Sequence, residues 1–220
     1  MNQEERLDYL VKALKEDSVQ YKDMEVKKAD RKTVLRSFMN IRMPKPVSLE
    51  FLNIQDAYLR DEAQGKGVVT LDQIPTVKER YESNHPYADK ISIWQGDITR
   101  LKVDAIVNAA NSQMLGCFVP MHQCIDNAIH SAAGIQLREE CNQYMHQKRI
   151  NNRFYEEPTG SAMVTRGYNL PCNYVIHTVG PIVSRELNDS LRNDLRFCYR
   201  SCLEAAMKYG IRTIAFCCTN

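Results

Sequence analysis

The sequence predicts an α/β sandwich, with helices on both faces of a sheet and a helical layer ahead of it. Before residue 85, apolar residues recur at helical spacing; from about residue 89, runs alternating every second residue are interleaved with runs at steps of three and four. A third observation is bulk: 220 residues at 44% hydrophobic content suffice for one large domain, or a domain with an extension.

Leu7, Leu10, Val11 and Leu14 sit at i, i+3, i+4 and i+7, one stripe of a first helix. A second helix is expected around residues 30 to 42, with Val34, Leu35, Phe38 and Met39 on one side. MPKP at 43 to 46 stops it, because proline lacks an amide proton and disfavours helix just before itself. A third helix is expected over 48 to 64, ending at Gly65 and Gly67. Residues 1 to 85 thus read as a helical extension without a chemical cluster. KISIWQ (90 to 95) alternates as a strand, and VDAIVNAA (103 to 110) reads as a buried strand entering a small-residue loop. Residues 125 to 147 are helical with a break near Gly134; SAMVTRG (161 to 167) and NYVIHTV (173 to 179) are strands. Leu191, Leu195, Cys198, Cys202 and Ala205 mark an amphipathic helix over 186 to 209, closed by Gly210, and IRTIAFCC (211 to 218) is a last apolar strand.

Composition excludes several roles. Charged residues are 25% of the chain and the net charge is +2, which argues against nucleic acid or an anionic membrane as main partner. MNQEERLDYLVKALKED carries charge throughout and lacks the apolar core of a signal peptide. No run approaches the ~20 apolar residues of a membrane span. The expected location is cytoplasmic, with the eight cysteines reduced. Cys141, Cys172, Cys198, Cys202, Cys217 and Cys218 read as small core residues.

Three stretches carry chemistry. In QGDIT (95 to 99), Asp97 follows a strand and can accept from an exocyclic amine; taken alone it reads first as a turn or helix-cap aspartate. In NAAN (108 to 111), Ala109 and Ala110 let a ligand approach the backbone, and Asn111 can both donate to and accept from sugar hydroxyls. In GCFVPMHQCIDNAIHSAAG (116 to 134), a helix starts at Ile125, and its first amides suit a diphosphate.

With HTVGP at the end of TGSAMVTRGYNLPCNYVIHTVGP (159 to 181), this ordered set resembles the macrodomain family, whose members bind ADP-ribose and in some branches hydrolyse it from proteins. The resemblance covers roughly residues 89 to 220. It implies a three-layer α/β/α macrodomain with a mixed central sheet over 86 to 220, behind the extension of 1 to 85. It also implies roles. Asp97 with Ile98 would hold adenine, Asn108 and Asn111 would face the distal ribose, and Ile125, Asn127 and Ala128 would cradle the diphosphate. Asp126 falls where hydrolytic members carry an acid near the scissile bond, so Asn111 and Asp126 are the catalytic candidates. His177 and His130 are expected to be structural or to stand behind the site.

One departure is large. CFVPMHQC stands where ordinary macrodomains have a glycine run, which is similar to the zinc-dependent macrodomains of bacteria and some fungi. Proteins of that branch resemble protein-ADP-ribose hydrolases, some encoded beside a sirtuin-like ADP-ribosyltransferase and a lipoylated carrier protein. Cys117, His122 and Cys124 offer sulfur and imidazole, the ligands Zn²⁺ prefers, and leave a fourth position open. Residues two apart diverge on a helix, so a loop, favoured by Pro120, must bring 122 and 124 together. Two thiolates cancel the ion's charge, so it is expected to orient and polarise more than to acidify water.

The expected activity is removal of mono-ADP-ribose from a modified protein side chain, as a carboxylate ester, with a lipoylated carrier among the targets. The alternative is a reader that binds ADP-ribose around a structural zinc. An oxidoreductase is set aside, since no G-x-G-x-x-G follows a strand. Macrodomains continue past the strand resembling IAFCC with a second phosphate loop, so the chain is expected to be the first portion of a longer protein.

Overall fold

The computed structural model describes residues 1–184 and 186–217. Three helices open the chain: α1 (Gln3–Glu16), α2 (Arg31–Ile41) and α3 (Leu49–Lys66). A reciprocal cap between Asn2 and Glu5 starts α1, and the Ser48 side chain starts α3. The stripe of Leu7, Leu10, Val11 and Leu14 buries against Leu35, Phe38 and Met39 of α2 and Phe51, Tyr58 and Leu59 of α3. This helical core ends at Gly67. Beyond it, β1 (Val69–Thr70) pairs with β2 (Leu101–Lys102), and Ile74 joins the second core. A short α4 (Val77–Tyr81) follows.

The main sheet contains β3 (Ala105–Ala110), β4 (Ala162–Arg166), β5 (Tyr174–Val179) and β6 (Ile214–Ala215), in the order β4-β5-β3-β6. β3 runs parallel to β5 and β6, while β4 is antiparallel to β5, so the sheet is mixed. Two helices, α5 (Ile125–Ala133) and α6 (Ile135–Arg149), cover one face, and α7 (Asp189–Lys208) covers the other. Strand periodicity divides the residues. Ala105, Val107 and Ile176 face α7, whereas Ile106 and Val175 face α5 and α6. This is a three-layer α/β/α architecture with a mixed sheet, preceded by N-terminal helices. Among the described residues no helix is long and apolar enough to cross a membrane.

Two expected strands are corrected. KISIWQ makes one isolated bridge, Ser92 to Thr76, and Ile91 and Ile93 are exposed, with Trp94 alone turned to the core. Alternation describes where side chains point, but a strand also needs a ladder partner, and among the described residues this segment has none beyond that bridge. IRTIAFCC is a strand only at Ile214–Ala215, where it meets Ala105 and Ile106; Cys218 lies outside the described residues.

The extension is tied to the sheet unit by polar contacts. Gln55 of α3 donates to Gln136 and accepts from the Ile135 amide, and Asp56 accepts from Gln136 and Asn169. Gly134 makes this junction possible. Its φ is +101°, and a Cβ there would lie 2.7 Å from the side chains of both Gln55 and Gln136.

Candidate active site

The site lies where parallel strands end and a loop leads into a helix. β3 delivers the chain to Asn111, residues 111 to 124 form the loop, and α5 begins at Ile125. Ligands of open α/β sheets collect beyond such carboxyl ends. Gly116 (φ +81°) turns the loop, and a Cβ there would press to 2.9 Å on the His130 ring.

Cys117, His122 and Cys124 meet in this loop, with all three ligand atoms within 4.8 Å of one another. Cys117 Sγ lies 3.7 Å from His122 Nδ1. Tetrahedral zinc, with bonds of about 2.0–2.3 Å, separates neighbouring ligand atoms by roughly 3.3–3.8 Å, so this edge has the right length. Spacing and donor chemistry both fit the ion. Cys124 is also the N-cap of α5, its sulfur accepting from the Asn127 amide at 3.4 Å, which places this sulfur at the positive end of the helix. Burial pushes the Cys124 thiol up, with the nearby Cys117 adding to this.

Asp126 follows in the first turn of α5, almost wholly buried. Burial raises its pKa to about 6, against the opposing pull of the Asn108 hydrogen bond and the Arg138 charge. Asn108 Nδ2 donates to Asp126 Oδ1 at 2.8 Å and reaches His177 Nδ1 at 3.1 Å. An amide nitrogen can only donate, so Nδ1 accepts, and the His177 proton sits on Nε2, 2.9 Å from Thr165 Oγ1. His130, 3.5 Å from Asp126, has neither ring nitrogen hydrogen-bonded among the described residues. Burial holds both imidazoles neutral, His177 down to about 3. His130, Cys141 and His177 also stand within 4.8 Å of one another, but both His177 nitrogens are engaged by protein partners, so this group is read as the scaffold behind Asp126.

The remaining candidates separate. Asn108 requires a correction: its side chain does not face an open ribose site but is fully buried. It shares a face of β3 with Ile106 and lies beside His177 in the parallel register, under α5. Asn111 is exposed at the end of β3, accepting from the Gln113 amide at 3.0 Å and donating to the Gly116 carbonyl at 3.2 Å. Asp97 is exposed and accepts from Thr99 N and Oγ1. It shares a cavity of about 200 Å³ with Ala128, whose far wall is built by Arg36, Tyr58 and Glu62 of the extension. Ile98 is buried in the core, and Ala110 and Ile125 are partly buried against it. The Asn127 side chain does not point outward; it donates to the Val119 carbonyl and accepts from Arg36.

Three residues at the site escape sequence reasoning. Arg138 is buried, donates to the Leu115, Met39 and Arg42 carbonyls, and lies over the Phe118 ring at 4.3 Å. Burial lowers its pKa to about 10, still charged at neutral pH. Arg36 and Asn40 of α2 reach the loop from the extension. No local signal marks them, since each looks like an ordinary polar residue on a helix.

A family model described as Macro domain matches residues 107–220, more than half of the chain. The chain belongs to the macro domain family. It is 44% identical to a protein from Treponema medium named protein-ADP-ribose hydrolase, over all of this chain and 81% of the relative. It is also 44% identical to a Staphylococcus aureus protein of the same name, over 84% of this chain and 64% of that one. A Trypanosoma brucei macrodomain crystallised with ADP-ribose is 32% identical, with a TM-score of 0.58 over 84% of this chain and 72% of that chain. The macro domain match thus takes in β3 from Val107 onward, the 111 to 124 loop, α5 and α6, while Asp97 and the extension lie ahead of it.

Proposed function

We propose that this macrodomain hydrolyses the bond between ADP-ribose and a modified protein side chain, with Cys117, His122 and Cys124 holding Zn²⁺. The observation that carries the reading is one corner of the molecule. There a thiol–imidazole–thiol cluster, a buried acid and a helix N-terminus meet, in a chain 44% identical to proteins named protein-ADP-ribose hydrolase. A zinc ion held there by these three side chains would supply a polarising centre of low net charge.

The chain's own groups do the rest. The first turn of α5 offers amides and a partial positive charge to the diphosphate. Asp97 offers its carboxylate to the adenine amine, and Asn111 offers its amide to the ribose hydroxyls. Departure at the anomeric carbon develops positive charge, which the Asp126 carboxylate stabilises. With a pKa of about 6 that same carboxylate takes a proton from water near neutral pH. Asn108 keeps Asp126 aimed, so much of the acceleration is orientation. A carboxylate ester is the linkage favoured, a lipoylated carrier protein a candidate target, and a cytoplasmic location accords with the free thiols of Cys117, Cys124, Cys141, Cys172, Cys198 and Cys202.

The test is incubation with ester-linked ADP-ribosylated protein, with and without a chelator. Free ADP-ribose released only by metal-loaded protein supports the hydrolase. Release that survives complete metal removal rejects the zinc role, and tight retention without release supports the reader.

A further inference from the structure

We propose that the second helix of the N-terminal extension is a working part of this site: Arg36 and Asn40 of α2 hold the 117 to 124 loop in its ligand-bearing shape. The two residues lie one turn apart on α2. Arg36 donates to Asn127 Oδ1 at 2.8 Å and to the His122 carbonyl at 3.4 Å, and Asn127 in turn donates to the Val119 carbonyl at 3.0 Å. The fully buried Asn40 accepts from the Met121 amide at 3.1 Å and donates to Ser131 Oγ of α5 at 2.9 Å. Residues 119, 121 and 122, all between the first and last metal-binding candidates, are thereby tied to α2 or α5. Arg138 closes the other end, joining the Leu115 carbonyl to the Met39 and Arg42 carbonyls at the end of α2.

The placement of the Asn40 bond matters most. Met121 has φ +56°, a left-handed conformation that non-glycine residues seldom adopt. It lies between Cys117 and His122, where the chain must reverse for the ligand atoms to converge. Left unpinned, that turn relaxes and the three ligand atoms separate. Arg36 also lines the cavity that holds Asp97 and Ala128, so one helix borders both the 117 to 124 loop and this cavity. Arg36 and Asn40 are positioning residues, acting through the loop.

The consequence for zinc rests on the proposed metal role of Cys117, His122 and Cys124, so the experiment separates the two. In the full chain, Arg36→Met, Asn40→Leu and Asn40→Asp are compared with wild type in three readouts. These are amide hydrogen exchange of the 117 to 124 segment in metal-stripped protein, zinc affinity by chelator competition, and kcat and KM at limiting and saturating zinc. Arg36→Met and Asn40→Leu are expected to speed exchange in that segment while β3 and β5 remain protected, and to weaken zinc binding roughly 10- to 100-fold. Their kcat recovers at saturating zinc. Asn40→Asp keeps the acceptor for the Met121 amide but loses the donor to Ser131 Oγ, so exchange and affinity are expected between those of Asn40→Leu and wild type. Wild-type exchange of 117 to 124 in both Arg36→Met and Asn40→Leu overturns the proposal. A wild-type protein that takes up no zinc overturns the zinc reading alone, while faster exchange in the variants still supports the clamp.

Discussion

Acid should weaken this protein through His177, and the size of the effect can be worked from its surroundings. The ring is fully buried, with Nδ1 facing Asn108 and Nε2 facing Thr165. Burial drops its pKa from 6.5 to about 3. A histidine depressed in this way binds more protons unfolded than folded between those two values. Stability therefore rises with pH across that window and is lost as pH falls from 6.5 towards 3. Integrated from pH 7 to pH 5, one such group removes about 2 kcal/mol. His130, depressed by the same burial, acts in the same direction. Asp126 has the opposite sign, because its raised pKa makes it a proton acceptor on folding between its unfolded value of 3.8 and about 6. His130 feels the His177 ring, and Asn108 joins His177 to Asp126, so the difference between wild type and His177→Gln reports His177 together with its effect on these two neighbours. Urea midpoints at pH 7 and pH 5 supply the measurement. Wild type should lose about 2 kcal/mol more than the variant over that interval, whatever the variant's stability at pH 7. Equal losses would mean that the imidazole is not held neutral by burial.

The metal loop and its acid give further expected outcomes. Cys117→Ser, His122→Ala and Cys124→Ser should each lower bound zinc and turnover together, read by elemental analysis beside the release assay; a variant with full turnover and no zinc contradicts the metal role. Asp126→Asn should cut kcat by about 10²–10⁴-fold while ADP-ribose affinity, measured by calorimetry, changes little. Asn108→Ala removes a charge-assisted hydrogen bond worth about 1.5–3 kcal/mol, so the pH–rate profile should move to higher pH as Asp126 becomes harder to ionise. Gly116→Val meets both a left-handed backbone and the His130 ring, and should lower the melting temperature and zinc content together.

Much of the fold is legible in the sequence because its helices are strongly periodic. Leu7, Leu10, Val11 and Leu14 point one way on any helix that contains them, and all four bury. The crowding of Cys117, His122 and Cys124 is legible because few residue types share that donor chemistry and they lie within one short loop. Asn108 misleads because NAAN looks like one unit, whereas strand geometry turns residue 108 under α5 and leaves Asn111 at the exposed end. KISIWQ misleads because alternation carries no information about a ladder partner. Arg36, Asn40 and Arg138 give no signal, since their partners are 86 or more positions away for Arg36, 81 or more for Asn40 and up to 99 for Arg138.

By itself the amino-acid order determined which segments are amphipathic, where thiols and imidazole cluster, and which side chains can carry acid–base chemistry. Those properties are local, set by period and residue type over a few turns of chain. Only tertiary structure decided that Asp126 is buried against Asn108, that Met121 is pinned in a left-handed turn, and that the extension borders the site. Desolvation and hydrogen-bond partners depend on what the fold brings alongside, and no short stretch of sequence contains that neighbour.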